Sequence, residues 1–157
     1  MSDSNDSIPA QITGDEAVRE HPGPIAALVQ FYRAFNGGDI DLMERNWAQG
    51  EDVAMDNPLG GITRGWPSIR PVYERIFDGP ADVYVEFYDY TLHETSEMFY
   101  AVGRERGEFR QDGDVVELAI RTSRIYRLVD GEWQQVHHHG SIDDPELLHR
   151  YQQAVNQ

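Results

Sequence analysis

The chain repeats apolar residues with the period of an α-helix in its first half and with the period of a β-strand in its second half. Residues 1–21 come before either pattern and are polar and acidic, which predicts an acidic flexible tail. The first helical stripe comprises Ile25, Leu28, Val29, Tyr32 and Phe35. Gly37 and Gly38 end this helix, and Asp39 is placed to cap a second helix over Ile40–Ala48.

Proline residues help to place the two remaining helices. A third apolar stripe predicts a helix over Ser68–Phe77. We expect Ser68 to be its cap, because Pro71 is tolerated only in the first turn of a helix. Asp144 and Pro145 provide a cap and a first-position proline for a short last helix that ends near Ala154.

From Ala81 onward, apolar and polar residues alternate, as they do in half-buried β-strands. We predict strands at about 81–90, 97–109, 115–129 and 132–142, with turns at Gln111–Asp114 and Asp130–Gly131. Helices followed by long antiparallel strands are typical of an α+β domain, in which a curved sheet wraps around the helices. The sequence therefore predicts one such domain over residues 22–157.

The hairpin Thr122–Ser141 holds three consecutive histidines. Its turn is Asp130–Gly131, a pair that tolerates the positive φ angles of tight hairpins. Side chains alternate along a strand, so His137 and His139 share one face and His138 lies on the other. At least one imidazole is therefore expected to face the core.

Composition excludes several kinds of chemistry and of partner. The 13 basic and 28 acidic side chains give a formal charge of −15, which disfavours nucleic acid and anionic membranes as partners. All basic residues are arginine and there is no cysteine, so lysine Schiff bases, thiol nucleophiles and thiolate metal sites are excluded. We find neither a membrane-spanning apolar run nor a signal peptide, and we expect a cytoplasmic protein without a cofactor.

Three segments resemble the first half of the nuclear transport factor 2-like superfamily, which includes SnoaL-like proteins and ketosteroid isomerases. They are Leu28–Met43, Met55–Gly60 and Gly65–Arg70. The hairpin is most similar to the SnoaL-like branch that includes the association domain of calcium/calmodulin-dependent kinase II. The resemblance covers about residues 24–142 and implies a cone-shaped α+β fold whose sheet face commonly pairs two copies.

The sequence differs from ketosteroid isomerases at two of their three catalytic positions. Tyr32 falls where those enzymes place the tyrosine that donates to the developing oxyanion. Their base, an aspartate before the motif proline, corresponds to Asn57, and an amide does not accept a proton at a useful pKa. Their second donor, a neutral carboxylic acid, aligns with Arg124, which stays charged. Asp56 could replace the base only if its side chain faced the opposite way, so steroid isomerase activity is not expected.

The association-domain branch matches the arginines better. Arg124 corresponds to its arginine before the aromatic residue, and Arg104 on the neighbouring strand corresponds to a second. By strand alternation, Thr122, Arg124 and Tyr126 share one direction. Two interpretations stay open: a pocket that receives an anion, or arginines that lie on the surface or pair internally.

His139 also has two interpretations, as a structural hydrogen-bonding residue or as an acid and base, since histidine titrates near neutrality. A metal site formed by His137 and His139 would lack an identifiable third ligand. We therefore predict no metal.

Two functions remain open. The first is the binding of a small organic molecule in the cone, which would be an anion if the arginines receive it. Tyr32, Asn57, Arg124 and His139 would line the cone, with Arg104 and Tyr126 beside them. Its chemistry would be metal-free isomerisation, dehydration or cyclisation, with His139 as acid and base and Tyr32 or Arg124 stabilising negative charge. The second is a non-enzymatic association domain with a vestigial or regulatory pocket. A homodimer or a larger homo-oligomer is expected in both cases.

Overall fold

A computed structural model of the chain describes residues 8–18 and 23–156, which contain four helices and seven strands. In chain order these are β1 (Gln11–Ile12), α1 (Pro24–Gly37), α2 (Ile40–Asn46), β2 (Ala54–Asp56), β3 (Thr63–Arg64), α3 (Trp66–Asp78), β4 (Asp82–Glu94), β5 (Met98–Gln111), β6 (Asp114–Val129), β7 (Glu132–Ser141) and α4 (Pro145–Asn156). The predicted α+β fold is confirmed: the helices pack against one curved, mostly antiparallel sheet.

The sheet has the strand order β1-β4-β5-β6-β7-β2-β3, and its one parallel pair is β2 with β7. The β6–β7 hairpin turns at Asp130 and Gly131, whose φ angles are 50° and 82°. Positive φ at both positions gives the turn a twist that matches the flanking strands. The hairpin predicted from this pair is therefore confirmed.

Alternation along the long strands separates an inner face from an outer face. On β5, Phe99, Ala101 and Phe109 are buried against the helices. The intervening positions, such as Tyr100 and Val102, are exposed on the outer face. The helices and the inner face together enclose the core, and we call the space between them the cone.

The ends of two helices differ from the sequence predictions. Helix α2 ends at Asn46 rather than Ala48, because Trp47 and Ala48 turn away to pair with Gln135 of β7. Asp39 caps this helix as expected, accepting a hydrogen bond from the Leu42 amide.

Helix α3 begins at Trp66 rather than with Ser68 as its cap, and it contains Pro71 in its interior. The Trp66 side chain is buried, and its indole Nε1 donates to Glu44 Oε1 at 2.7 Å, which holds the first turn in place. Pro71 is exposed, so the carbonyl left without its helical partner lies on the solvent side.

Part of the predicted tail belongs to the domain. Strand β1 pairs with β4, and Ile12 is completely buried. The Arg33 Nε of α1 donates to the Gly14 carbonyl at 2.7 Å. The flexible-tail prediction is therefore wrong for residues 8–18, while residues 1–7 and 19–21 lie outside the described residues.

Within the two described ranges, no helix combines the length and the apolar character that crossing a membrane would need. The cytoplasmic location stays a prediction.

Candidate functional site

A buried ion pair lies at the centre of the cone. Arg124 of β6 is 2% exposed and Glu105 of β5 is 5% exposed. Arg124 Nη2 donates to Glu105 Oε2 at 2.9 Å, and Nη1 donates to Gln135 Oε1 at 2.9 Å. The guanidinium carbon lies 3.5 Å from the ring centroid of Phe31. Burial alone lowers the pKa of Arg124, but the neighbouring acidic groups outweigh it and hold that pKa above its usual value, so the side chain is charged.

Tyr32 joins this pair from helix α1. Its hydroxyl donates to Glu105 Oε2 at 2.5 Å and lies 3.5 Å from Arg124 Nε. Burial raises the pKa of Tyr32 well above its usual value, although the charge of Arg124 opposes this. The hydroxyl therefore stays protonated, but its hydrogen is already committed to a carboxylate.

Tyr126 is also buried, at the side of the cone where α2 meets the sheet. Its hydroxyl donates to Asn46 Oδ1 at 2.9 Å, and Gln135 Nε2 donates to the same oxygen at 3.0 Å. Asn46 in turn donates to the Ala27 carbonyl at 2.9 Å. The shared direction of Tyr126 and Arg124 is confirmed, but Tyr126 does not line the cavity and its polar atom serves the packing of α2.

The histidine that enters the cone is His138, not His139. Tyr126 pairs with Gln135, whereas Ile125 pairs with His137, so Val136 has no partner across the hairpin. This β-bulge adds one residue to β7 and reverses the faces of all the residues after it. The placement of His139 in the cone is therefore wrong, and His138, which strand alternation set apart from its two neighbours, takes that position.

His138 is a neutral imidazole with one nitrogen free. Its Nδ1 lies 3.2 Å from the Ser123 carbonyl, which can only accept, so Nδ1 carries the hydrogen and Nε2 has the lone pair. Burial, and then the charge of Arg124, hold the pKa of His138 well below its usual value. Among the described residues Nε2 has no hydrogen-bond partner, so it is available to accept one in the cavity.

The other two histidines lie on the outer face of the sheet. The half-exposed His139 pairs through Nδ1 with Asp56 Oδ2 at 2.5 Å, and His137 Nε2 lies 3.8 Å from Asp56 Oδ1. Asp56 thus faces outward and is not a replacement base in the cone. Across the described ranges, no three His, Cys, Asp or Glu side chains form a group that could hold a metal ion.

Arg104 also lies on the outer face and not in the cone, and together with Val102 and His139 it lines an outer pocket of about 460 Å³. Its Nε donates to Asp89 Oδ2 at 3.0 Å, and its side chain is 56% exposed. The neighbouring residue, Glu105, has the inward position instead. Glu105 continues the alternation of Phe99, Ala101 and Phe109, and this signal could have identified it from the sequence.

The cavity between these residues has a volume of about 30 Å³. That is enough for about two water molecules. Its wall is formed by twelve side chains: Phe31, Phe35, Asn57, Pro58, Tyr73, Ile76, Val85, Glu105, Ile120, Arg124, His138 and Tyr151. Asn57 is therefore in the predicted place, although its Oδ1 accepts from the Leu59 amide at 3.1 Å.

Tyr73 is the other polar group that the sequence did not reveal, because it lies on the apolar stripe of α3 and resembles a core aromatic residue. It is 2% exposed, and the hydrogen of its hydroxyl has no acceptor among the described residues. Burial raises the pKa of Tyr73 to about 12, although the Trp47 and Arg124 donors lie close enough to its oxygen to lower that pKa slightly, and the hydroxyl therefore remains a donor. The cavity wall thus combines a free acceptor on His138 with a free donor on Tyr73.

Solved structures with this fold include three informative examples. A candidate calcium/calmodulin-dependent protein kinase type II association domain from Thiobacillus denitrificans is 23% identical, with a TM-score of 0.64, over 78% of this chain and 97% of that one. A candidate dehydratase from Streptomyces avermitilis is 20% identical, with a TM-score of 0.65, over 74% and 90%. A ketosteroid isomerase-like protein from Erwinia carotovora atroseptica is 20% identical, with a TM-score of 0.63, over 76% and 93%.

These similarities show the fold alone. No curated protein matches the chain. The family of the SnoaL-like domain matches residues 25–145, which is most of the chain and includes every residue of the cavity wall except Tyr151. The predicted membership is thereby confirmed, and the chain belongs to the SnoaL-like domain family.

Proposed function

We propose that the domain binds a small organic molecule in the cone and moves a proton within it, with His138 as the acid and base. One observation carries the proposal: in the wall of the cavity, the Nε2 acceptor of the buried His138 and the hydroxyl hydrogen of the buried Tyr73 have no hydrogen-bond partners among the described residues. Buried polar groups in native proteins are nearly always hydrogen-bonded, so two free groups of complementary type at one cavity favour a ligand.

The chemistry follows from the donor and the acceptor. His138 Nε2 takes a proton from the carbon next to a carbonyl group, and the electron pair of that C–H bond moves onto the carbonyl oxygen. The Tyr73 hydroxyl donates to this oxygen as its negative charge develops. In a β,γ-unsaturated carbonyl compound, the oxyanion reforms the carbonyl, the double bond shifts to the α,β position and the γ-carbon takes the proton back from His138, which completes an isomerisation. In a β-hydroxy carbonyl compound, the oxyanion reforms the carbonyl, an α,β double bond forms, the β C–O bond breaks and the leaving hydroxide takes the proton from His138 as water, which completes a dehydration. A low pKa makes His138 a weak base, so the substrate must supply an acidic C–H bond.

A ligand larger than the cavity can enter only if the mouth of the cone widens. Tyr151 of α4 and Pro58 both line the cavity, and Gln152 Nε2 donates to the Pro58 carbonyl at 2.9 Å. This single polar contact joins α4 to the loop after β2. Helix α4 is packed through the buried side chains of Tyr151, Ala154 and Val155, so widening the cone requires α4 to separate from part of the core.

Exchange of hydrogen for deuterium tests the proposal directly. Cyclopentanone and 2-butanone are incubated with the protein in D₂O, and loss of their α-hydrogens is followed by NMR. The wild type should accelerate the exchange by about 100-fold over His138→Gln, which is the usual size of a general-base contribution. His139→Gln is the matched control, since it removes the adjacent but outward-facing imidazole, and it should exchange at the wild-type rate.

The control also decides between the two histidines. If His139→Gln lost the exchange while His138→Gln kept it, the sequence-based assignment of His139 would be right and the present one wrong. Equal exchange in the wild type and His138→Gln would overturn the acid and base role of His138.

A second candidate function is association without chemistry, which one observation favours. Several apolar side chains are more than 40% exposed on the outer face of the sheet, where a second copy could cover them: Tyr84, Tyr100, Val102 and Val115. We expect a homodimer or a larger homo-oligomer through this face. Val102→Glu should shift the mass measured by sedimentation toward the monomer, and an unchanged mass would exclude this face as the interface.

A further inference from the structure

The charges in the cone are already balanced. Of the side chains that line the cavity, Glu105 and Arg124 are the two charged ones, and they face each other at 2.9 Å. His138 adds a neutral imidazole and Tyr73 a neutral hydroxyl. A ligand in this cavity therefore meets one acceptor and one donor, but no net charge.

Arg124 already uses three of its five N–H groups inside the cone, and one of them is bonded to a carboxylate. Its three nitrogens face Tyr32, Gln135 and Glu105, and its flat face lies over the Phe31 ring. A ligand carboxylate that took the two remaining N–H groups would place a second buried negative charge beside Glu105 on a single guanidinium, and one that took the place of Glu105 would have to displace it. That displacement would leave the Glu105 carboxylate buried without its partner, which is one of the most unfavourable arrangements in a protein interior.

We infer that the ligand of the cone is an uncharged carbonyl compound, and that Glu105 determines this preference by occupying Arg124. The inference rests on the proposed function, and it opposes the anionic ligand that the arginines suggested from the sequence. Glu105 is a specificity-determining residue here, because it acts on the ligand through Arg124 and not by touching the reacting atoms.

A matched pair of probes tests the preference. Propanamide and propanoate have nearly the same shape, but only propanoate is charged. Each is titrated into ¹⁵N-labelled protein at constant ionic strength, and the chemical shifts of cavity-lining residues give the affinity. The wild type should bind propanamide at least about tenfold more tightly than propanoate, which corresponds to about 1.4 kcal/mol.

The variant Glu105→Gln should reverse the preference, since it frees the charge of Arg124 while keeping an acceptor at nearly the same place. We expect its affinity for propanoate to rise by about tenfold or more. Glu108→Gln is the matched control, because Glu108 lies on the same strand but bonds Arg110 on the outer face. It should bind both probes as the wild type does.

The outcomes separate the two proposals. Propanoate binding as tightly as propanamide in the wild type overturns the neutral-ligand inference and leaves the proposed site standing. Failure of a folded Glu105→Gln to gain propanoate affinity overturns the role of Glu105. If neither probe shifts any cavity-lining signal in the wild type, the ligand site itself is refuted. The comparison of the two probes in the wild type decides the preference even if the variant does not fold.

Discussion

Removal of one partner of the Glu105–Arg124 pair should destabilise the domain far more than removal of both. Arg124→Met leaves a buried carboxylate with only the Tyr32 hydroxyl as donor, and Glu105→Met leaves a buried guanidinium without an anion. The double variant replaces both groups by apolar side chains of similar length. It therefore removes the isolated charge that each single variant creates.

The structure sets the size of the effect. With a donor–acceptor distance of 2.9 Å, the two charge centres lie about 4 Å apart, and at an effective dielectric constant of about 20 they attract each other by about 4 kcal/mol. Each single variant should lose about 3–5 kcal/mol of unfolding free energy. The double variant should lose less than either, about 1–3 kcal/mol, because Gln135 and Tyr32 still lose partners.

Urea unfolding of the wild type, both single variants and the double variant measures the coupling energy of the pair. An ion pair on the outer face with nearly the same donor–acceptor distance provides the control. Arg104 and Asp89 lie 3.0 Å apart, but their side chains are 56% and 67% exposed, against 2% and 6% for Arg124 and Glu105. The corresponding cycle at Arg104 and Asp89 should give a coupling of less than about 1 kcal/mol.

If the two single variants at Glu105 and Arg124 each cost less than about 1 kcal/mol, or if their costs simply add, the pair is solvated in the folded protein. That result would refute the dry, charge-balanced cone and with it the argument for an uncharged ligand.

Two further measurements test other parts of the cone. Burial and Arg124 hold the pKa of His138 well below its usual value in the folded protein, so below about pH 6.5 the unfolded chain takes up a proton that the folded chain does not. The unfolding free energy of the wild type should therefore fall relative to that of His138→Gln, by up to about 1.4 kcal/mol per pH unit, as the pH drops from about 6.5. Urea unfolding at several pH values measures both free energies. If the two change with pH in the same way, His138 is not a buried neutral imidazole. Tyr126→Phe should lower the unfolding free energy by about 1 kcal/mol, because it removes the donor to Asn46. Tyr84→Phe, which removes an exposed hydroxyl, should leave that free energy almost unchanged. Equal losses in urea unfolding would show that the contact with Asn46 contributes nothing specific.

The elements of the fold could be predicted because their signals are local. The Asp130–Gly131 turn, the Asp39 cap and the period-2 strands each depend on a few neighbouring residues. The helix boundary at Trp66 could not be predicted in this way. It depends on a hydrogen bond from the Trp66 indole to Glu44, which lies 22 positions earlier in the chain. This bond stabilises the first turn of α3, which lies close to a proline.

The site was only partly predictable because one inserted residue decides which face a strand presents. Arg124 and Asn57 lie in the wall of the cavity, as the sequence predicted, whereas Tyr32 contacts Arg124 and Glu105 without lining the cavity itself. His139 lies outside the cone, because Val136 bulges out of the hairpin and nothing in the local pattern of β7 marks it. A short-range rule can place the turn, but a single bulge beyond the turn exchanges the inner and outer side chains.

Arg124 shows that a resemblance to a family predicts where a residue lies more reliably than it predicts what the residue does. The resemblance placed an arginine in the cone, and the structure has one there. What an arginine does in a buried site depends on its neighbours, and here Glu105 already satisfies it at 2.9 Å. The same argument applies to Tyr32, whose hydroxyl donates to Glu105 and not to the cavity. The groups left free for a ligand are then His138 and Tyr73, which the family comparison did not single out, and any activity of this domain should depend on them.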